Sequence, residues 1–466
     1  LIYRILFLKI IFYAILILKI LIMKEKRGYN FSGLDRRNFI KTAGLATTGL
    51  AMAPKMVYPN SSADVKKVRV GFIGLGGRGV SILRNALKVE GVEVIAVCDI
   101  LEERNTLSQK IIIEAGQPKP EAYGRGPEDW RRLMERTDLD TVICAGPLEI
   151  HPPTMIACME KGIIGGTELP ACDGIDEAWE LIEVYHRTGV PFMMLENYIY
   201  QRFVQMVQNM ISQDVFGVIS HCTSGYQHES PYVMFDENGK LLWRGKERAL
   251  RNGNQYPTHA VGPAAKWLNI NRGDRFEYLV SMGGRSVGLN HYAKKTLGSN
   301  HPFAHKDWPL NDVNVSLIKT YKGINVAIYY DAILPRPWDL IHRVQGTKGM
   351  AMGTVDGIYL EGRSPSKQYE PASKYYDEYD HPNWKKHGEI ARTSGHGGGD
   401  YLMVLDFIDA VRNKRDVTVD PYDAVTWTIL NDLSETSVNN KSRPVDFPDF
   451  TLGKWKTRKP LPIRAI

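Results

Sequence analysis

Val68-Arg69-Val70-Gly71-Phe72-Ile73-Gly74-Leu75-Gly76-Gly77-Arg78-Gly79 decides the fold of this chain. A short β-branched apolar run over 68–73 ends in glycines spaced Gly-x-Gly-x-x-Gly, and apolar residues at helical spacing follow over 80–87. A second apolar run, 92–98, ends at Asp99, twenty residues after Gly79. Strand, turn, helix, strand and acid in this register make a dinucleotide-binding βαβ unit. Gly74, Gly76 and Gly79 let the backbone approach a pyrophosphate, Gly77 and Arg78 open the helix that faces it, and Asp99 is placed to bond a ribose 2′-hydroxyl. A carboxylate at that point repels a 2′-phosphate, so the expected cofactor is NAD rather than NADP.

Working outward, further βα units are expected at 141–145 with a helix after Pro152, at 163–167 with a helix over 176–187, and at 191–196. After Asn197 the pattern changes. Strand-like runs at 218–226, 276–287, 313–320 and 325–330 come with few helices between them, which is the grammar of an open, mainly antiparallel sheet. The sequence therefore predicts an α/β protein: a leader over 1–63, a Rossmann domain over 64–197 and an α+β substrate or oligomerisation domain over 198–466. A stretch rich in Gly, Tyr and Asp, 362–399, is expected to run over the surface, and helices over 401–411 and 423–438 to close the chain.

The net charge of +7 loses its meaning once it is located. Of 59 Lys and Arg and 52 Asp and Glu, the first 53 residues hold nine and two, leaving 50 of each in the body. A basic nucleic-acid surface is poorly supported. The leader carries Asp35-Arg36-Arg37-Asn38-Phe39-Ile40-Lys41, then an apolar run over 42–53 ending in small residues, and resembles the twin-arginine signal that exports folded proteins. The preceding 22 residues, mostly Leu, Ile, Phe, Tyr and Lys with no acid, are expected to be read-through upstream of a start at Met23; a retained membrane anchor is the alternative. Export implies a periplasmic enzyme that meets no pool of free nicotinamide cofactor. It would have to carry its NAD and restore it in each turnover. Five cysteines without metal-ligand spacing, two of them in strand-like runs, are expected to be buried free thiols. No metal is expected, since His396 between glycines has no acid or Cys partner at metal spacing.

From about residue 66 onward the chain resembles the Gfo/Idh/MocA oxidoreductases, and in detail the glycoside hydrolase family 109 α-N-acetylgalactosaminidases. The matching segments are Pro147-Leu148-Glu149-Ile150-His151, Leu195-Glu196-Asn197, Gly225-Tyr226-Gln227-His228, Tyr256-Pro257-Thr258-His259 with Gly262-Pro263, Tyr379-Asp380-His381-Pro382 with Trp384-Lys385-Lys386-His387, and Gly395-His396-Gly397-Gly398. Where sugar dehydrogenases of the wider superfamily carry Glu-Lys-Pro, this chain has Glu168-Leu169-Pro170, without their catalytic lysine. Trp338 stands where the glycosidases are expected to carry Tyr.

The resemblance implies a glycosidase whose tightly bound NAD oxidises C3 of the sugar and is restored after C1–C2 elimination and water addition, so that no flanking carboxylate pair is needed. It implies Tyr226 as the base at C2 and His259 as the acceptor of the C3 hydroxyl proton. Their bland readings are a strand-end packing aromatic and a helix-start cap. Arg251, Tyr256, Pro257, Thr258 and Trp338 would line the sugar, with Arg251 a candidate to favour the Tyr226 phenolate. Leu148, Glu149, Ile150, His151, Glu168, Leu169 and Asn197 match cofactor-contacting positions; His151, before Pro152-Pro153, could instead fix the next helix. The expected partners are a glycan or small glycoside, the twin-arginine export machinery and, through an open sheet face, further copies of the chain. The competing readings are a periplasmic NAD-dependent sugar dehydrogenase and a non-catalytic sugar- or NAD-binding protein.

Overall fold

The computed structural model describes residues 65–236, 238–242, 245–246 and 250–466; the twin-arginine stretch and its leader lie outside them. The first sheet is built from β1 (Val68–Ile73), β2 (Val92–Cys98), β3 (Glu121–Tyr123), β4 (Thr141–Cys144), β5 (Gly165–Thr167) and β6 (Phe192–Met194). Between them run α1 (Gly77–Ala86), α2 (Glu102–Glu114), α3 (Asp129–Met134), α4 (His151–Lys161) and α5 (Ile175–Thr188). All strands are parallel, in the order β3-β2-β1-β4-β5-β6. Burial on both faces explains why β1, apart from Arg69, and β4, after Thr141, read as apolar runs. The order reverses between β1 and β4, so a crevice opens at their carboxyl ends, where the glycine turn lies.

Among the described residues the second sheet has nine strands: β7 (Ile219–Gln227), β8 (Phe276–Gly283), β9 (Val313–Thr320), β10 (Asn325–Asp331), β11 (Arg343–Gly346), β12 (Gly349–Met352), β13 (Gly357–Leu360), β14 (Glu370–Pro371) and β15 (Val445–Asp446). Their order is β14-β13-β12-β11-β7-β10-β9-β8-β15, antiparallel except for the β7–β10 pair. The accompanying helices are α6 (Arg202–Ser212), α7 (Thr258–Trp267), α8 (Gly288–Leu297), α9 (Tyr376–Tyr379), α10 (Pro382–Ala391), α11 (Gly399–Asn413), α12 (Pro421–Thr428) and α13 (Leu430–Asn439). One sheet face is covered by α7 and α13. On β9 the alternation is regular: Asn314, Ser316, Ile318 and Thr320 are buried, while Leu317, with Met282 on β8, is exposed on the opposite face. The parallel register of β7 with β10 places Tyr226 opposite Tyr330.

Three expectations are corrected. The strand expected over 276–287 stops at Gly283, because the Asp312 carboxylate accepts hydrogen bonds from the N–H groups of Val287 and Gly288 and starts α8 there. The helix expected over 423–438 is two helices, α12 and α13, parted at Ile429. The stretch 362–399 is not a surface excursion: it carries α9 and α10 and buries Tyr375, Tyr379 and Trp384, whose indole N–H donates to the Tyr200 carbonyl at 3.0 Å. Aromatic residues with a polar tip resemble surface in a sequence but find partners inside. The five cysteines are buried free thiols, as expected, and burial pushes those of Cys98 and Cys144 up to about 12 and 11. Finally, α11 packs on α1 and β1, so the last part of the chain returns to the first sheet and helps to build the site.

Candidate active site

Gly74 has φ +83°, and a Cβ there would lie 2.3 Å from the Gly146 nitrogen, so the loops after β1 and β4 touch through bare backbone. A Cβ on Gly79 would lie 1.9 Å from the Gly74 carbonyl oxygen, whereas one on Gly77 would meet nothing within 4 Å. The first and third glycines are thus required by packing, and the space over Gly77 is open. Among the described residues α1 begins there with no side-chain cap, and its first turn holds no acid, so its N–H groups and dipole face that space. Asp99, buried at the end of β2, accepts from the N–H groups of Leu75 (2.8 Å) and Leu101 (3.0 Å), which fixes its carboxylate beside the turn. An uncapped helix start, an open cradle and a fixed carboxylate fit the pyrophosphate and ribose of a dinucleotide.

Arg78 reaches from α1 across the crevice, with Nε 2.8 Å from Glu168 and one Nη 2.8 Å from Asp400 of α11. Burial works against its charge, but Glu168 and Asp400 outweigh burial and raise its pKa. Asp400 also accepts from the Asn197 amide at 2.8 Å and lies 2.9 Å from Nδ1 of His396. Burial would raise this carboxyl, but His396 and Arg78 hold it well below the usual carboxylate range. His396 sits at φ +52° between glycines, its ring edge-on to Tyr198 at 5.7 Å.

Glu196-Asn197-Tyr198, directly after β6, joins this network to a cluster of rings. The Glu196 carboxylate, fully buried, stands 2.7 Å from Nδ1 of His259 and accepts the Tyr198 N–H at 2.9 Å. His259 lies in the first turn of α7, its ring 3.9 Å from that of Tyr198, 5.0 Å from Tyr256 and 5.3 Å from Tyr226. Tyr226 stands at the end of β7, 5.0 Å from Tyr256 and stacked with His228 at 6.0 Å. Pro257 precedes α7, and Thr258 is buried with its hydroxyl unpartnered among the described residues. Trp338 is half exposed at the edge of the cluster, 6.3 Å from Tyr198. Burial, with Tyr226 and Glu196 nearby, holds the Tyr198 phenol above its ordinary range.

Two sequence assignments are corrected. Arg251 is held by Asp432 (2.6 Å) and Glu435 (2.7 Å) on α13, with Asp173 at 3.5 Å. Three carboxylates against one guanidinium leave no surplus positive charge to favour a phenolate, and its role is to clamp the chain to α13. The His151 ring is buried between carbonyl oxygens, Nδ1 2.8 Å from Pro170 and Nε2 3.0 Å from Gly146, so it ties together the loops after β4 and β5 and has no ring nitrogen to offer a cofactor. Leu148, Glu149 and Ile150 form a single unburied 3-10 turn beside it, and Leu169 is buried. Glu196, Tyr198 and Asp400 carry no role that their sequence context assigns. The one local signal was an acid, Glu196, placed directly after an apolar strand.

A family model described as the C-terminal domain of glycosyl hydrolase 109 matches residues 200–457. A glycosyl hydrolase family 109 protein of Stenotrophomonas maltophilia is 36% identical over 92% of this chain and 98% of its own. An alpha-N-acetylgalactosaminidase of Tannerella forsythia is 37% identical over 91% and 98%, and one of Shewanella oneidensis 38% over 92% and 99%. Among solved structures, a levoglucosan dehydrogenase in complex with NADH and levoglucosan superposes with TM-score 0.64 at 17% identity, covering 82% of this chain and all of the other. An NAD binding oxidoreductase from Klebsiella pneumoniae gives TM-score 0.65 at 15% identity, covering 82% and 99%. These two share the fold. The identities over nearly full length, together with the match across the second sheet, place the sequence more narrowly: the chain belongs to glycosyl hydrolase family 109.

Proposed function

We propose that this protein is an exported glycosidase that keeps NAD bound and releases terminal α-N-acetylgalactosamine or a closely related residue, the activity named for two of its relatives. The observation that carries this reading is the strand end Glu196-Asn197-Tyr198, which links the glycine-turn network through Asn197 and Asp400 to the ring cluster around His259 and Tyr226. When bound, NAD supplies reversible hydride transfer at C3 of the sugar. His259 accepts the proton of the C3 hydroxyl. Tyr226 removes the proton at C2, which the C3 ketone has made acidic, and the glycosidic oxygen leaves C1. Water then adds at C1, the protons return and the net reaction is hydrolysis. Leu169, at the position of the dehydrogenase lysine, cannot relay a proton, which disfavours a plain sugar dehydrogenase.

The test is to purify the body from Ser62 onward without added NAD and follow nitrophenol release from 4-nitrophenyl α-N-acetylgalactosaminide. Many turnovers with no build-up of reduced cofactor are expected. Accumulation of reduced cofactor from free sugar plus added NAD, without glycoside cleavage, would replace this reading by the dehydrogenase. Export by the twin-arginine route rests on Arg36 and Arg37; replacing both by Lys is expected to keep the protein out of the periplasmic fraction. Self-association through the open sheet face rests on the exposed Met282 and Leu317.

A further inference from the structure

His259 touches the two halves of the site, and its chemistry depends on which ring nitrogen carries the proton. Nδ1 is 2.7 Å from Oε1 of Glu196, an oxygen that also accepts the Tyr198 N–H. The other carboxylate oxygen has no hydrogen-bond partner among the described residues, and the residue is fully buried. A buried carboxylate costs several kcal/mol unless it is paired, so an acid held here against one imidazole nitrogen asks for a reason. The approach is built into α7: a Cβ on Gly262, one turn after His259, would lie 3.2 Å from Cγ of Glu196 and 3.1 Å from the Trp427 ring. Gly262 therefore clears the space through which the carboxylate reaches the helix. Among the described residues Nε2 of His259 makes no hydrogen bond, and its ring is walled by Tyr198, Tyr226 and Tyr256.

We infer that Glu196 is a positioning residue for His259: its carboxylate takes the Nδ1–H hydrogen bond, fixes that tautomer and leaves Nε2 as the atom that accepts the C3 hydroxyl proton. The inference rests on the proposed glycosidase reaction. When Nε2 gains the proton, the ring becomes an imidazolium whose positive charge faces the buried carboxylate, and returning the proton to the sugar oxygen restores the neutral ring. No atom is exchanged with Glu196. The same logic of a carboxylate behind a histidine base operates in hydrolytic triads.

The other groups around His259 do not compete for this role. Tyr198, Tyr226 and Tyr256 come from the adjoining loop, β7 and the turn before α7. His342, preceding β11, is buried and pushed down to about 3 by burial, with His259 adding to the push, so it stays neutral. From β10 come Tyr330 and Asp331, the latter paired with Arg336; from α6, Arg202, paired with Asp380; from α12, Asp423, paired with Arg272.

Two measurements test the inference. Nitrogen NMR of histidine-labelled wild-type protein, with His259 assigned by the signal lost in His259→Gln, is expected to show a neutral ring protonated at Nδ1. This readout needs no turnover and stands even if the sugar assignment fails. In Glu196→Gln, which keeps an acceptor but no charge, kcat for 4-nitrophenyl α-N-acetylgalactosaminide is expected to fall about 100-fold with KM little changed. Glu196→Asp should recover part of kcat. A His259 ring protonated at Nε2 alone, or a folded Gln variant with unchanged kcat, would overturn the inference.

Discussion

At the scale of single residues the account stands on two proton-transfer groups. Tyr226→Phe removes the hydroxyl but keeps the ring packed against Tyr256, so glycoside cleavage should fall on the order of 10²- to 10⁴-fold while the melting temperature is held. The check is turnover of a nitrophenyl glycoside beside thermal unfolding. Arg251→Ala should do the opposite: thermal stability drops because Asp432 and Glu435 lose their counter-ion, and kcat holds. A collapse of kcat at unchanged stability would restore Arg251 to the sugar site. The glycine turn and Asp99 were legible because their spacing is local. Arg251 was not, since its partners stand about 180 residues later in the chain. The carboxylate behind His259 was hidden for the same reason, 63 positions away.

At the scale of elements, the contact of α1 with α11 is held by Arg78 between Glu168 and Asp400. Arg78→Met should leave buried Glu168 without its cation and Asp400 with His396 and Asn197 only, and cost about 3 kcal/mol, read as a lower urea midpoint at neutral pH. Because the Asp400 carboxyl titrates below its unfolded value, the stability it contributes is present above about pH 4 and lost as the pH falls toward its folded value. The wild-type midpoint should therefore fall on acidification more steeply than that of the Met variant, in which His396 alone is left to hold the Asp400 carboxyl down; parallel pH curves for the two would contradict it. Gly79→Ala should abolish cofactor retention, measured as absorbance released on denaturation, because its Cβ would strike the Gly74 carbonyl. β9, with its clean period, and β10, an almost continuously buried run, could be read from sequence with their bounds nearly right. The start of α8 could not, since it depends on Asp312 from beyond the helix, nor could α10, whose Trp384 is buried by a bond to the Tyr200 carbonyl.

At the scale of the molecule, burial also works against stability. Lys266 on α7 is buried, its ammonium donating to the Thr418 carbonyl at 3.1 Å, and burial pushes it down to about 8. Its charge is disfavoured in the fold wherever the unfolded chain is protonated, so the penalty is full below pH 8 and fades as the pH rises toward 10.5. Lys266→Met should raise stability at neutral pH by up to about 3 kcal/mol, a gain that shrinks in alkali. The two-sheet plan was readable because each sheet has its own hydrophobic rhythm. The return of α11 to the first sheet was not, because a helix buried nearly all round, with Asp400 and Asp406 among its buried residues, does not record what it packs against.

Hydrolysis through oxidation and elimination, instead of direct displacement, leaves its mark on C2 of the released sugar when glycoside cleavage is run in deuterium oxide. Deuterium is expected at C2, because Tyr226 exchanges the removed proton with solvent before it returns. Complete retention of hydrogen at C2 over many turnovers would contradict it.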